Sequence, residues 1–328
     1  MTLTRRPLLG AALAAPALLP ARMGAAQPAF PNRAVRIVVP YTPGGVSDIT
    51  ARLIAEPLAA GWGQPVPVEN RAGADGIIGT EVVAKSPPDG HVMALVSVGH
   101  PVNAAFYRLP YDTMRDFSFV TMTTRTPLVL VAGKNFGPST PAELVDHCKR
   151  NRPGHVTFAG SGGVVRLAPV LFAQRAGIEL TYVFYRGSTQ AHPDLMGGRV
   201  DIMFDTVPAA LGHIQSGNLK ALATTGAQRA PQLPDVPTLG EAFMPGFEAS
   251  TWGMLIGPAN IPDPILTKLS EDCGAAVMRP DVAARHRALG AEVTRTTPEE
   301  TRAFVQAEME KWGEAARKAG IQPGAPGG

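Results

Sequence analysis

The sequence predicts two α/β domains joined by two crossings, with a ligand cleft between them. Three observations predict it. Short β-branched runs alternate with amphipathic helical segments. Gly-rich loops stand between strand ends and helix starts in both halves, at residues 40–45 and 160–163. Two apolar runs, residues 128–132 and 251–256, read as crossings between the halves.

The 328 residues suffice for two domains. The first 26 read as a signal peptide. Arg5 and Arg6 precede an apolar stretch at 8–19, and Gly24, Ala25 and Ala26 offer small residues for cleavage before Gln27. The stretch is too short for a membrane span. The paired arginines leave both the general secretory and the twin-arginine route open. Removing Arg5, Arg6 and Arg22 from the 30 basic residues leaves 27, against 27 acidic ones. That balance argues against a nucleic-acid partner. Cys148 and Cys273 fall in helices of different domains and are expected as buried, unpaired thiols. No metal-ligand cluster or cofactor motif is present; Gly73, Gly76 and Gly79 lack the dinucleotide spacing.

In chain order, residues 35–39 read as a buried strand, 40–45 as a tight loop, and the next residues as a helix starting at Ser47 or Asp48, both good N-caps. Strand, Gly-Gly loop and helix start together aim free N–H groups and a positive dipole end at one space, where an anion is stabilised. An ordinary turn is the equal reading. A second strand follows at 66–69, a loop at 70–75 and a helix at 76–85. A strand at 91–98 ends in Gly99, His100 and Pro101, and 116–124 brings the first domain to its edge.

Residues 139–143 form a capped helix start with Pro at its first position. The strand at 155–159, the loop at 160–163 and the helix at 164–175 repeat the opening design. Strands at 180–185, 200–204 and 219–224 alternate with helices at 191–196 and 209–216. The C-terminal helices, 264–278, 281–289 and 298–319, are expected to pack on the first domain. The alternation implies a largely parallel sheet, with ligand sites beyond the carboxyl ends of its strands.

Gly44, Gly45 and Ser47 of one half then face Ser161, Gly162 and Gly163 of the other. Asp205 ends a strand and reads either as an acceptor facing the ligand or as a helix cap. Tyr41 reads as a pocket wall or as core, Tyr185 as part of a cleft loop, and His100 as cleft lining or structure. The enzymatic competitor is Ser161 as the nucleophile of an α/β hydrolase. His192 or His213 and an aspartate from Asp194, Asp201 or Asp205 complete the set, but Asp205 and His213 are too near in sequence for a good triad.

Residues 41–52, Tyr-Thr-Pro-Gly-Gly-Val-Ser-Asp-Ile-Thr-Ala-Arg, resemble the signature of the extracytoplasmic receptors of tripartite tricarboxylate transporters, the Bug family. Val68-Glu-Asn-Arg-Ala-Gly-Ala-Asp-Gly-Ile-Ile-Gly79 resembles its second block. Ala84-Lys-Ser-Pro-Pro-Asp-Gly90, Tyr185-Arg-Gly-Ser188 and Gly197-Gly-Arg-Val-Asp-Ile-Met-Phe-Asp205 agree with it too, so the match covers nearly all of 30–324.

The resemblance implies a type II periplasmic-binding-protein fold and no catalysis. It implies a periplasmic, monomeric receptor that passes a small carboxylate to the transporter's membrane components. The two Gly-rich loops, with Asp48 inside the first signature, grip the carboxylate like pincers. A dicarboxylate, an aromatic acid and an amino acid all remain open. The domains are expected at 27–127 with 254–328, and at 128–253. One departure stands out. Where the family carries small hydroxyl residues and then a His, this chain has Gly163, Val164, Val165 and Arg166. Arg166 then either meets a second carboxylate or points to solvent.

Overall fold

The structure, a computed structural model, describes residues 30–160, 164–185, 187–288 and 290–318, with Gly320 and Gly324. The expected leader lies outside the described residues.

In chain order, β1 (Arg36–Val39) is followed by α1 (Val46–Trp62), β2 (Val68–Asn70) by α2 (Ile77–Ala84), and β3 (Val92–Ser97) by α3 (Gly99–Phe106). The long strand β4 (Phe117–Gly133) leads to α4 (Pro141–Arg150). Then come β5 (Thr157–Gly160), α5 (Val164–Ala176), β6 (Thr181–Phe184), α6 (Ser188–Met196), β7 (Ile202–Thr206) and α7 (Val207–Gln215). β8 (Leu219–Thr224) and the single turn α8 (Leu239–Ala242) precede β9 (Ser250–Pro258). The chain continues through α9 (Asp263–Val277), α10 (Pro280–Ala288), β10 (Glu292–Val293) and α11 (Pro298–Lys318).

Local chemistry explains these boundaries. After Arg36, β1 is apolar because both its faces are covered: Ile37 and Val39 join one core cluster and Val38 another. α1 stops at Gly63, whose left-handed backbone (φ 62°) lets its N–H close on the Ala59 carbonyl. α4 starts as expected, with Thr140 accepting from the Glu143 N–H and Pro141 at the first position. α3 is a helix where the sequence suggested only a strand end. Pro101 is its third residue, and a proline there sacrifices no helical hydrogen bond.

Among the described residues the strands form one sheet in two halves. β2, β1 and β3 run parallel, with Ile37 opposite Val68 and Met93. β6, β5 and β7 form the parallel part of the other half. Between them lie β9 and β4. β9 is antiparallel to β3, and β4 pairs with β9 as far as Pro127 and Ser250, then with β7 from Leu128 and Thr206 onward. The sheet is therefore mixed rather than largely parallel. One crossing strand goes out and the other returns, so the two must oppose each other. Thr225 pins this junction: its hydroxyl accepts from the Leu128 N–H at 2.9 Å and donates to the Ala249 carbonyl.

α11 also departs from expectation. It packs on α3 and β4, and on α5 of the other half as well, where Gln174 Nε2 donates to the Ala315 carbonyl at 3.0 Å. Its Glu308 is buried and accepts from the indole N–H of Trp252 on β9 (3.0 Å) and of Trp312 (2.9 Å). The C-terminal helix thus ties a crossing strand to both halves. Cys148 and Cys273 are unpaired and buried, as expected; burial pushes the Cys148 thiol up to about 11.

His100, weighed above as cleft lining, is 2% exposed between Tyr111 and Phe117, with ring centroids 6.0 and 5.0 Å away. Burial pushes its pKa down to about 4. A depressed histidine leaves stability intact above the unfolded value, near 6.5, and removes it as pH falls toward 4, because only the unfolded chain takes the proton. Acid unfolding should therefore show up to about 3 kcal/mol of loss across that window from this residue alone. His100→Leu should flatten that part of the stability curve, measured by denaturant titration at several pH values. An equally steep curve in the variant would place the proton uptake elsewhere.

Candidate functional site

The loop after β1 is shaped from beneath. Gly44 has φ 87°, a left-handed conformation that favours glycine, whereas Gly45 is extended and serves as the N-cap of α1. The helix starts at Val46, one residue before Ser47 and two before Asp48, the expected caps. Asp48 lies in the first turn and is 4% exposed. Its carboxylate folds back to accept from the Gly44 N–H (2.9 Å), Asn70 Nδ2 (3.0 Å) and Arg52 Nε (3.1 Å). Burial raises its pKa, but Arg52, the Gly44 N–H and Asn70 together outweigh that and hold it below the usual carboxylate value. Asp48 therefore clamps the loop. The first-turn N–H groups of Val46 and Ser47 have no carbonyl of their own helix to meet, and they open outward.

The loop after β2 stands beside it. Gly73, Ala74, Asp75 and Gly76 all have positive φ, from 46° to 143°, which is costly for the two residues that carry a Cβ. Neighbours hold the turn: Asn103 Nδ2 donates to the Asp75 carbonyl at 3.0 Å, and the Tyr107 hydroxyl to Asp75 Oδ2 at 2.5 Å. Tyr41 is a post between the loops. Its ring lies against Gly76, where a Cβ would stand 3.0 Å away, and its hydroxyl accepts from Ser97 Oγ at 2.8 Å.

In the other half, the expected pincer residues Ser161, Gly162 and Gly163 lie outside the described residues, between β5 and α5. The guanidinium of Arg166 lies over Tyr182 at 4.9 Å and over Phe106 of α3, across the cleft, at 5.3 Å. Its charge is placed against rings of both halves, and the side chain is half-buried. Tyr185 donates its hydroxyl to Asp194 at 2.8 Å, which draws the phenol along α6. Asp205 does not cap α7, contrary to one of the two expectations. It is 1% exposed, and the cap is Thr206. Its Oδ1 accepts from Ser188 Oγ (2.6 Å) and the Thr206 N–H (2.8 Å), and its Oδ2 meets His192 Nε2 at 2.8 Å. Histidine and serine both converge on the carboxylate, so this is not a serine–histidine–aspartate relay. His213 packs its ring against that of His192, with centroids 4.7 Å apart.

A cleft of about 430 Å³ opens between the start of α1, the start of α7 and the crossing strands. Six hydroxyl residues line it: Ser47, Ser97, Thr124, Thr126, Thr206 and Thr251. Val46, Pro208, Ala209 and Trp252 supply its apolar part, and among the described residues no charged side chain lines it. The sequence reading found Ser47 alone of these hydroxyls. The detectable signal was Thr124 and Thr126, two apart on one face of a strand whose neighbours are core.

The chain matches the family described as "Tripartite tricarboxylate transporter family receptor" over residues 50–321. It is 36% identical to protein BugT of Bordetella pertussis over 298 residues, 89% of this chain and 91% of that one. Solved structures are similar to it as well, three of them as follows. R. palustris Rpa4515 with adipate has 34% identity and a TM-score of 0.75, covering 90% of this chain and 99% of that one. MatC from Rhodopseudomonas palustris with bound malate has 33% identity and a TM-score of 0.71, covering 88% and 100%. The periplasmic binding protein BugD has 33% identity and a TM-score of 0.72, covering 90% and 100%.

The Asp205 geometry reverses the effect expected from its position in the sequence. Asp205→Ala strands the Ser188 hydroxyl, the Thr206 N–H and His192. It should cost about 3–5 kcal/mol, as breaking a buried pair does. The rank order of ligands should not change. Thermal melting with a ligand panel checks this; an unchanged melting temperature with altered preference would put the carboxylate in contact with ligand.

Proposed function

The chain belongs to the tripartite tricarboxylate transporter receptor family, and we propose that it captures a small carboxylate in the periplasm and delivers it to the membrane components of such a transporter. The family is one of periplasmic solute-binding proteins, not of enzymes. The observation that carries the proposal is the cleft itself: outward N–H groups of the first turn of α1 beside six hydroxyls, with no charged side chain among the described lining. Neutral donors suit an anion that must be both held and released. A hydrogen bond to a carboxylate contributes roughly 1.5–3 kcal/mol. Three or four supply much of the ~8 kcal/mol of a micromolar complex, before ordering costs.

In this reading Gly44, Gly45 and Ser47 form one jaw, and Ser161, Gly162 and Gly163 the other. Tyr41 walls the pocket, while Asp48, Arg166, Tyr185 and Asp205 position the loops around it. The jaws belong to lobes at 27–127 with 254–328 and at 128–253. The switch in β4 pairing between Pro127 and Leu128 supports that boundary. Adipate and malate in similar proteins support a dicarboxylate-sized ligand. The leader, residues 1–26, directs export with cleavage before Gln27, and the receptor works as a monomer without nucleic acid.

Gly45 offers the test. A Cβ there has no atom nearer than the Thr42 carbonyl oxygen at 3.9 Å, and the backbone is not left-handed. Gly45→Ala should leave the melting temperature of the ligand-free protein nearly unchanged. Gly45→Val fills the space above the N–H groups and should weaken carboxylate binding at least tenfold, about 1.4 kcal/mol. Calorimetry on the folded Val variant decides; full affinity would reduce the loop to a turn.

A further inference from the structure

Resting on the receptor reading above, we propose that Gly290 is a positioning residue of the cleft: the turn it forms after α10 is a spacer that sets how far the start of α7 stands from the start of α1. Among the described residues, neither Gly290 nor any residue of α10 lines the cleft, yet this one segment touches both helix starts. On the α1 side, His286 is fully buried, and its Nε2 lies 2.8 Å from the hydroxyl of Thr50, which is fully buried too. That hydroxyl is also 2.7 Å from the carbonyl of Val46, the first residue of α1. The His286 Nδ1 meets the Val282 carbonyl one turn back at 2.9 Å, which fixes the ring from its other side. On the α7 side, Gly290 is buried against Pro208, the second residue of α7, which also lines the cleft. Gln232 of the second half adds a bond from its amide to the Arg287 carbonyl at 3.2 Å.

The turn is tied down and fits without spare room. The His286 carbonyl accepts from the Ala291 N–H and the Arg287 carbonyl from the Gly290 N–H, both at 2.9 Å, so the residue that holds Thr50 also closes the turn. Beyond it, β10 is paired to β4, with Val293 opposite Thr124 of the cleft lining. Gly290 has φ 69°, and a Cβ on it would stand 2.7 Å from Cγ and 3.1 Å from Cδ of Pro208. That is well inside van der Waals contact. A proline ring is closed onto its own backbone nitrogen and has no flexible end to swing aside. A side chain at 290 therefore displaces either the turn or the start of α7. The turn is tied to α1 and β4, so α7 yields, and Thr206, Pro208 and Ala209 of the lining move with it. Glycine at 290 lets the two helix starts stand as close as they do.

A double-mutant cycle between Gly290→Ala and Pro208→Ala tests this, because Pro208→Ala removes the atoms that the new Cβ would strike. The probe for calorimetry is whichever of succinate, malate, adipate and 3-phenylpropionate the parent binds most tightly. Gly290→Ala should weaken binding at least fivefold with Pro208 present and less than twofold in the Pro208→Ala background. A smaller loss in the first or a larger one in the second overturns the proposal. The melting temperature separates a merely structural role: alanine in a left-handed backbone destabilises in both backgrounds alike, whereas the affinity loss should need Pro208. A Gly290→Ala chain that fails to fold should be rescued by Pro208→Ala; failure in both backgrounds overturns the proposal. In ligand-free ¹⁵N spectra, Gly290→Ala should move the Val207 and Ala209 amides with Pro208 present and leave them in place without it. Amides that move alike in both backgrounds, or in neither, overturn it. If the parent binds none of the four acids, it is the carboxylate-receptor reading that falls, and the amides alone decide the spacer.

Discussion

Parallel strands end at a common edge, and the helices that follow them begin there. β1, β2 and β3 deliver α1, α2 and α3 to one side of the cleft, and β5, β6 and β7 deliver α5, α6 and α7 to the other. Each helix start carries N–H groups that its own turn cannot satisfy, together with the positive end of its dipole. A fold of this kind accumulates donors at the cleft before any side chain is chosen. The side chains then need only keep the loops in place and leave the space uncharged, and the lining of hydroxyls and small apolar groups does both.

The acids show how the loops are kept in place. Asp48 and Asp205 occupy equivalent roles in the two halves. Each is buried under a rim loop, each accepts from a backbone N–H of that loop, and each is held by side chains from neighbouring elements. Buried carboxylates are costly unless fully hydrogen-bonded, so each is stable only while its loop stays folded over it. The crossing strands add the mechanical side. Thr225 joins β4 to the chain entering β9, and Glu308 joins β9 to α11.

Much of this was legible in the sequence. Residues 35–52 carry their geometry in local chemistry, as a β-branched run, two glycines and a helix start. The repeat of that design at 155–175 and the capped start at Thr140 were legible for the same reason. What failed depended on distant partners. Asp205 looks like a helix cap until Ser188 and His192 are seen to converge on it and Thr206 takes the cap position. α3 was hidden because Pro101 reads as a breaker unless its place in the first turn is known. β4 was split in two because its change of partner at Pro127 leaves no mark in composition. The five cleft hydroxyls other than Ser47 come from four strands, β3, β4, β7 and β9, which only the fold brings together.

The central claim is that main-chain N–H groups at the start of α1 hold the ligand carboxylate. The most direct measurement is the amide proton shift of Gly45, Val46 and Ser47 in ¹⁵N-labelled protein during titration with adipate or malate. The account predicts saturating downfield shifts of those resonances, larger than those of amides at the far end of α1. Saturable binding that leaves all three unmoved would contradict it.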